Sequence, residues 1–313
     1  MHVVTEPAEA RKIVGDRGAV VTIGAYDGVH LGHRAVIAEV RHLADTRGAL
    51  SALVTFDRHP AEIVRPESAP CRLTSLDQKL ELLESTGIDL VVVITFDSAR
   101  SNETAEDFVS EVLVDGLAAR AVVVGHDFHF GKDRGGNVEM LQREGAVHGF
   151  DVLGMRLVAT GGAPVSSTRI RELLHQGDVA GAAPLLGRPY ELRGTVMHGD
   201  ARGRELGFPT ANVAVPDGAC LPADGIYAAL YRTPDGVARP AAVSLGRRPT
   251  FYVDAKASLL EAFLLDFDAD LYDQPAEVAF VERLRGEQKF DSIDDLVKQM
   301  HADVLDTRTV LGY

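Results

Sequence analysis

Two domains of different texture, an α/β domain on a mostly parallel sheet and then an antiparallel β-barrel with a closing helix, are predicted by three features of this 313-residue sequence. Up to about residue 187, short apolar runs alternate with segments of helical period. Such alternation implies parallel strands covered on both faces, with ligands at their carboxyl ends. Gly187-Arg188-Pro189 then breaks an Ala-rich helical segment, which places the boundary there and gives domains 1–187 and 188–313. Beyond it, short runs divided by Gly, Pro and Asp follow without intervening helices, the pattern of a barrel.

Each element has a local reason. Ala19 to Ile23 is a β-branched apolar run ending at Gly24, a buried parallel strand. Val36, Ile37, Val40 and Leu43 then recur at helical spacing over His33 to Thr46, with Gly48 as C-cap. Leu50 to Phe56 is the second strand. Thr74 or Ser75 caps a helix carrying Leu76, Leu80 and Leu83, and Ile88 to Phe96 is the third strand. A capping box at Thr104 to Asp107 precedes a helix with Phe108, Val109, Val112 and Leu113. Ala121 to Val124, a helix around Val138 to Glu144 and a strand around Val152 to Leu157 complete the alternation. In the second domain the strands are Leu192 to Met197, Gly225 to Tyr231, Ala241 to Leu245, Ala257 to Phe267 and Ala276 to Leu284. Ser292 caps a last helix whose stripe of Ile293, Leu296, Val297, Met300 and Val304 reads as core.

Composition narrows the function classes. Acidic residues outnumber basic ones 46 to 32, a net charge of -14. With no Lys/Arg run, this argues against a nucleic-acid partner, since phosphate neutralisation needs clustered cations. The beginning of the chain is neither basic nor followed by a long apolar region, and no run approaches the roughly 18 residues of a membrane span. Cys71 and Cys220 stand far apart without CxxC pairing, so two buried thiols are expected instead of a disulfide framework or zinc site. A cytoplasmic, membrane-free protein fits best. A homo-oligomer is compatible with the sequence and not derivable from it.

The chemistry concentrates at strand ends. Gly24 to His33 is a glycine-rich turn between the first strand and its helix, and a helix start stabilises an anion through free N–H groups and its dipole. Gly24, Gly28 and Gly32 let the backbone approach a ligand, and His30 and His33, one turn apart, can face one phosphate. A cap would explain either histidine alone, and a turn would explain Asp27-Gly28. Ser166, Ser167 and Thr168 open another helix after a strand and, with Arg171, offer hydroxyls and a guanidinium to a polyphosphate. Asp127, Phe128, Phe130 and Gly131 form a loop able to lay a planar ring against Phe. His59 ends the second strand. In the second domain, Gly199, Arg202, Gly203 and Gly207 lie in a loop suited to wrapping phosphates, and Thr210 and Asn212 offer oxygens suited to Mg²⁺.

Taken together these strings resemble the nucleotidyltransferase superfamily, through His30-Leu31-Gly32-His33 and Ser166-Ser167-Thr168-Arg169-Ile170-Arg171. The Asp127 to Gly131 loop and Thr55-Phe56-Asp57-Arg58-His59-Pro60 are similar to the adenylyltransferase module of bacterial FAD synthetase. Gly194 to Asn212 resembles the flavokinase signature. Leu245 to Phe251, Glu261 to Tyr272 and Arg285 to Phe290 continue that likeness, so the resemblance is to the bifunctional prokaryotic family joining riboflavin kinase and FAD synthetase. Three residues depart from the pattern: Tyr26 for Phe, Arg58 for Pro, and Asp273 for Gly, where the loss of a residue tolerant of positive φ predicts an altered turn.

The resemblance implies a Rossmann-like domain that adenylylates FMN to FAD, releasing pyrophosphate, and a barrel that phosphorylates riboflavin to FMN. ATP is co-substrate of both and Mg²⁺ the cofactor. Glu261 becomes the base for riboflavin's alcohol. His30 and His33 become charge-stabilising groups, since the FMN phosphate needs no base. Asp127, Phe128, Phe130, Gly131 and Arg285 would border flavin. Two other readings compete: a nucleotidyltransferase acting on a non-flavin phosphate, and a flavin-binding sensor without turnover.

Overall fold

The computed structural model describes residues 1–156, 158–198, 207–247 and 258–313. The chain divides into two units, Met1–Ser167 and Thr168–Tyr313. The first is built on six parallel strands: β1 (His2–Val4), β2 (Ala19–Ile23), β3 (Leu50–Phe56), β4 (Leu90–Ile94), β5 (Ala119–Gly125) and β6 (Asp151–Met155), in the order β1-β4-β3-β2-β5-β6. Val21, Val54, Val92 and Val122 enter one apolar layer, while Val20, Leu53, Val93 and Val123 enter another. Because neighbouring residues of a strand face opposite sides, a sheet buried on both faces needs apolar residues at consecutive positions, as β4 has throughout and β2 has except at the buried Thr22.

Helix α1 (Pro7–Val14) follows β1. Both were absent from the predicted alternation, since a three-residue, half-exposed strand carries too little periodicity to read. Helix α2 (Leu31–Arg47) sends Ile37, Val40 and Ala44 inward and stops at Gly48 with φ 62°. Helix α3 (Leu76–Glu84) opens in a reciprocal capping box between Ser75 and Gln78, which settles Ser75 as its cap. The last strand stops at Met155, and Leu157 lies outside the described residues. The path runs from β2 to β3 and β4 on one side, then crosses to β5 and β6 on the other. The order reverses between β2 and β5, and the crevice outside the carboxyl ends of strands at such a switch point is where open parallel sheets bind ligands.

The second unit is a closed antiparallel barrel: β7 (Tyr190–Met197), β8 (Ala211–Ala214), β9 (Gly225–Arg232), β10 (Ala238–Arg247), β11 (Ser258–Leu264) and β12 (Pro275–Arg285), in the order β7-β8-β11-β10-β9-β12. Tyr190, Tyr227, Tyr231 and Phe280 fill it. The sequence reading missed β8, four residues with a polar Asn in the middle, and took Asn212 for part of a loop. Neither cysteine is a free thiol, which corrects the expected pair of buried thiols. Cys220 is buried and Cys71 half-buried; spacing along a sequence does not report a thiol's partner. Among the described residues no helix is long and apolar enough to cross a membrane.

Helix α4 (Ile293–Leu311) closes the chain, with Ser292 accepting from the Asp295 amide. Its predicted stripe is only partly core: Ile293 is 66% exposed at the first turn, and Leu296, Val297, Met300 and Val304 are half-buried. A pair of charges anchors it instead. Arg285 donates to Asp303 from Nε (2.8 Å) and Nη2 (2.7 Å), and Gln299 Nε2 adds a third donor to the same carboxylate. Asp303 is 5% exposed. Arg285→Ala strands that carboxylate without its cation, so we expect it to lower the stability of this unit by about 3 kcal/mol, read from chemical denaturation.

Asp273 has φ 60°, the left-handed conformation expected to need glycine. The predicted change of turn is therefore corrected: Asp tolerates this region better than most side chains, and its amide donates to Val196 O at 2.9 Å. A β-branched residue cannot follow. Asp273→Ile should cost about 1–2 kcal/mol in denaturation experiments while Asp273→Gly is neutral or better.

Candidate active sites

The turn after β2 is held in a conformation its residues do not favour. Tyr26 (φ 49°), Gly28 (φ 84°) and Val29 (φ 38°) all have positive φ, a strained state for Tyr and for β-branched Val. Surrounding contacts enforce it. Tyr26 is buried, its hydroxyl 2.6 Å from Thr22 Oγ1. Asp27 accepts from the amides of Leu73 (2.9 Å) and Thr74 (3.0 Å), the Gly28 amide donates to Thr74 Oγ1 (3.1 Å), and Ser167 Oγ donates to Asp27 O (3.0 Å). Asp27-Gly28 is thus an anchored clamp.

His30 is the N-cap of α2, its Nδ1 accepting from the His33 amide at 3.3 Å. The two imidazoles stack, with centroids 3.6 Å apart and planes 14° from parallel. Gly32 makes room for them: a Cβ there would lie 3.1 Å from the His30 ring and 3.2 Å from Val165 O. Gly24 similarly faces the Tyr26 ring. These glycines serve close packing inside the protein. His33 Nδ1 is buried with no hydrogen-bond partner. Burial, then the neighbouring His30 and Lys79, hold the His33 pKa well below its ordinary 6.5, so this imidazole is neutral at physiological pH. A buried nitrogen without a partner costs free energy that an incoming polar ligand would recover.

Other predicted residues of this unit gather at the same strand ends. His59 follows β3, its Nδ1 accepting from the Ala61 amide (3.1 Å) and its own amide donating to Glu62 (3.1 Å). Arg58 lies exposed at the rim, 3.4 Å from Asp57. After β5, Asp127 is exposed, while Phe128 and Phe130 are half-buried, stacked at 5.4 Å and packed against the core of the sheet. Gly131 has φ 72° and lies against Ala105. Ser166 and Ser167 end the first unit at the start of the Ser167–Gln176 helix, whereas Thr168 and the buried Arg171 on that helix fall in the second unit.

In the barrel, register decides what meets. Glu261 on β11 is directly paired with Asn212 on β8 and with Ser244 on β10. Ala211 and Val213 are buried, as are Leu260 and Ala262, so strand alternation turns Asn212 and Glu261 away from the barrel core onto one face. Thr210, two residues before Asn212, is half-buried and follows the exposed Gly207 and Pro209, between which Phe208 is buried. The hydroxyl and amide oxygens of Thr210 and Asn212 are hard donors of the kind that fits Mg²⁺. Gly207 has φ 85°; Gly199, Arg202 and Gly203 lie outside the described residues. Arg285 spends one edge of its guanidinium on Asp303 and donates Nη1 to Gly286 O at 3.0 Å.

Sequence reasoning missed Lys79, which lies under the first site and is 7% exposed. A signal was present: Leu76, Lys79, Leu80 and Leu83 share the i, i+3, i+4, i+7 stripe of α3, so a lysine sits where an apolar residue belongs. It lines a cleft with Ala25, Asp57, His59, Arg72 and Thr74.

A histidine pair at the switch point of a parallel sheet, in a chain continuing into a closed six-stranded barrel, defines a two-part nucleotide-dependent transferase. The family models agree: residues 13–169 match FAD synthetase and residues 186–311 match riboflavin kinase. Bifunctional riboflavin kinase/FMN adenylyltransferases from Pseudomonas fluorescens and Escherichia coli K12 are 41% and 37% identical to it, each over 94% of this chain and 93% of the relative. A solved structure described as a macrolide-efflux protein from Streptococcus pneumoniae shares the fold at TM-score 0.85, with 29% identity over 98% of both chains. The chain belongs to the family of bifunctional riboflavin kinase/FMN adenylyltransferases.

Proposed function

We propose that this chain makes FAD from riboflavin in two ATP-dependent steps in the cytoplasm. Residues 188–313 phosphorylate riboflavin to FMN, and residues 1–187 adenylylate FMN and release pyrophosphate. One observation carries the reading: a match to FAD synthetase ending at 169 is followed in the same chain by a match to riboflavin kinase starting at 186.

The two steps ask different things of the protein. Riboflavin presents a neutral alcohol, which gains from a positioned base as it attacks the γ-phosphate. Glu261 takes that proton. Thr210 and Asn212 would hold Mg²⁺, which when bound would neutralise the phosphates of ATP. Gly199, Arg202, Gly203 and Gly207 serve the binding of those phosphates, and Arg285 supports the flavin side of the pocket through its grip on Gly286. In the second step the FMN phosphate, with a second pKa near 6, arrives already ionised. His30, His33, His59, Ser166, Ser167, Thr168 and Arg171 align the phosphates and meet the charge that develops on pyrophosphate. Asp127, Phe128, Phe130 and Gly131 border the isoalloxazine.

Chromatography of the purified chain with riboflavin, ATP and Mg²⁺ tests this directly. FMN should form and then give way to FAD, and EDTA should stop both. Bound but unchanged riboflavin would refute the assignment, as would FMN that is never consumed.

A further inference from the structure

The buried cation Lys79 stands outside the roles given above, and its surroundings are unusually specific. From α3 its Nζ reaches Phe56 O (2.8 Å), Ala25 O (3.2 Å) and Thr55 Oγ1 (3.3 Å), while Thr55 Oγ1 donates to Ala25 O (3.1 Å). Ala25 begins the turn that carries His30 and His33. Phe56 ends β3, three residues before His59. An ammonium has three N–H donors, and here three oxygens from two adjacent strand ends receive them. We propose that Lys79 is a positioning residue for adenylyl transfer, tying the ends of β2 and β3 together so that the His30/His33 turn and the His59 turn keep a fixed separation.

The tie depends on charge. A neutral amine has two N–H groups and a lone pair, which would face one of the three oxygens. Asp27 in the β2 turn, Asp57 after β3 and Glu62 beyond His59 favour the charged form, but burial outweighs them and brings the Lys79 pKa down to about 8. On the other side Lys79 acts on His33 of α2, helping to keep it neutral. Arg58, His59 and Arg72 complete the charged and titratable groups of the cleft. Raising the pH through about 8 should therefore slacken the tie and slow adenylyl transfer.

The inference rests on the FMN adenylyltransferase reading, and one set of measurements separates the two. FAD formation from supplied FMN is followed from pH 6 to 10 in the wild type, Lys79→Met and Lys79→Arg, with riboflavin phosphorylation by the same samples reporting an intact second unit. The wild type should lose kcat above pH 8 with KM for FMN changed less than threefold. Lys79→Met should be at least 30-fold slower and flat over that range, since no ammonium remains to titrate. Lys79→Arg keeps its charge at every pH tested and should move the alkaline loss upward by a unit or more. A wild-type rate that is flat to pH 10 overturns the inference without any variant. A Met variant with wild-type kcat does so too, as does an alkaline loss near 8 surviving in either variant. If Lys79→Met unfolds its own unit, the Arg profile and the wild-type profile decide. A wild type that makes no FAD at all refutes the function instead.

Discussion

Glu261→Ala is expected to abolish FMN formation from riboflavin while leaving FAD formation from supplied FMN nearly unchanged. A well-placed general base contributes about 10²–10⁴ in rate, and the neighbouring side chains in register, Asn212 and Ser244, cannot take its place as a base. The adenylylation half is spared because Glu261 lies on the barrel wall of the second unit, and the His30/His33 pair lies in the first. Separate assays of the two steps on one purified variant check this. Loss of both activities in a folded protein would remove Glu261 from the role of base and make it a structural residue.

Conversely, replacing both His30 and His33 by alanine should let FMN accumulate with FAD output reduced by about 10³ or more, the scale set by removing preorganised donors from a site of developing charge. The double alanine variant also removes the cap of α2 that His30 provides. His30→Asn separates loss of the cap from loss of the ring, for asparagine retains a capping oxygen: helix content and melting temperature should recover while adenylylation stays slow. Unchanged FAD output from the double alanine variant would refute the role of the pair.

Most of the fold is legible because strong patterns coincide. Val91 to Ile94 and Val122 to Val124 are apolar without interruption and Val20 to Ile23 is broken only by the buried Thr22, a pattern that a strand buried on both faces needs. Where a strand is short or half-exposed, as at β1 and β8, the pattern disappears. The residues of the candidate sites were legible as motifs, but their partners were not. The string HLGH allows either histidine to cap the helix, but nothing in it says that His30 does so or that His33 Nδ1 is left buried without a partner. Asp27 looked like a turn residue because its acceptors' partners, the amides of Leu73 and Thr74, are 46 and 47 positions away. Asp273 was misjudged for a different reason: the identity of a residue was allowed to decide a backbone angle that the barrel's β7 and β12 connections impose.

The capping bond of His30 also settles a question of proton bookkeeping. Nδ1 is committed as an acceptor to a backbone N–H, so the one hydrogen of the neutral ring must reside on Nε2. The imidazole is thereby tautomerically fixed by helix geometry, its Nδ1 lone pair spent on the backbone and not available to take a proton.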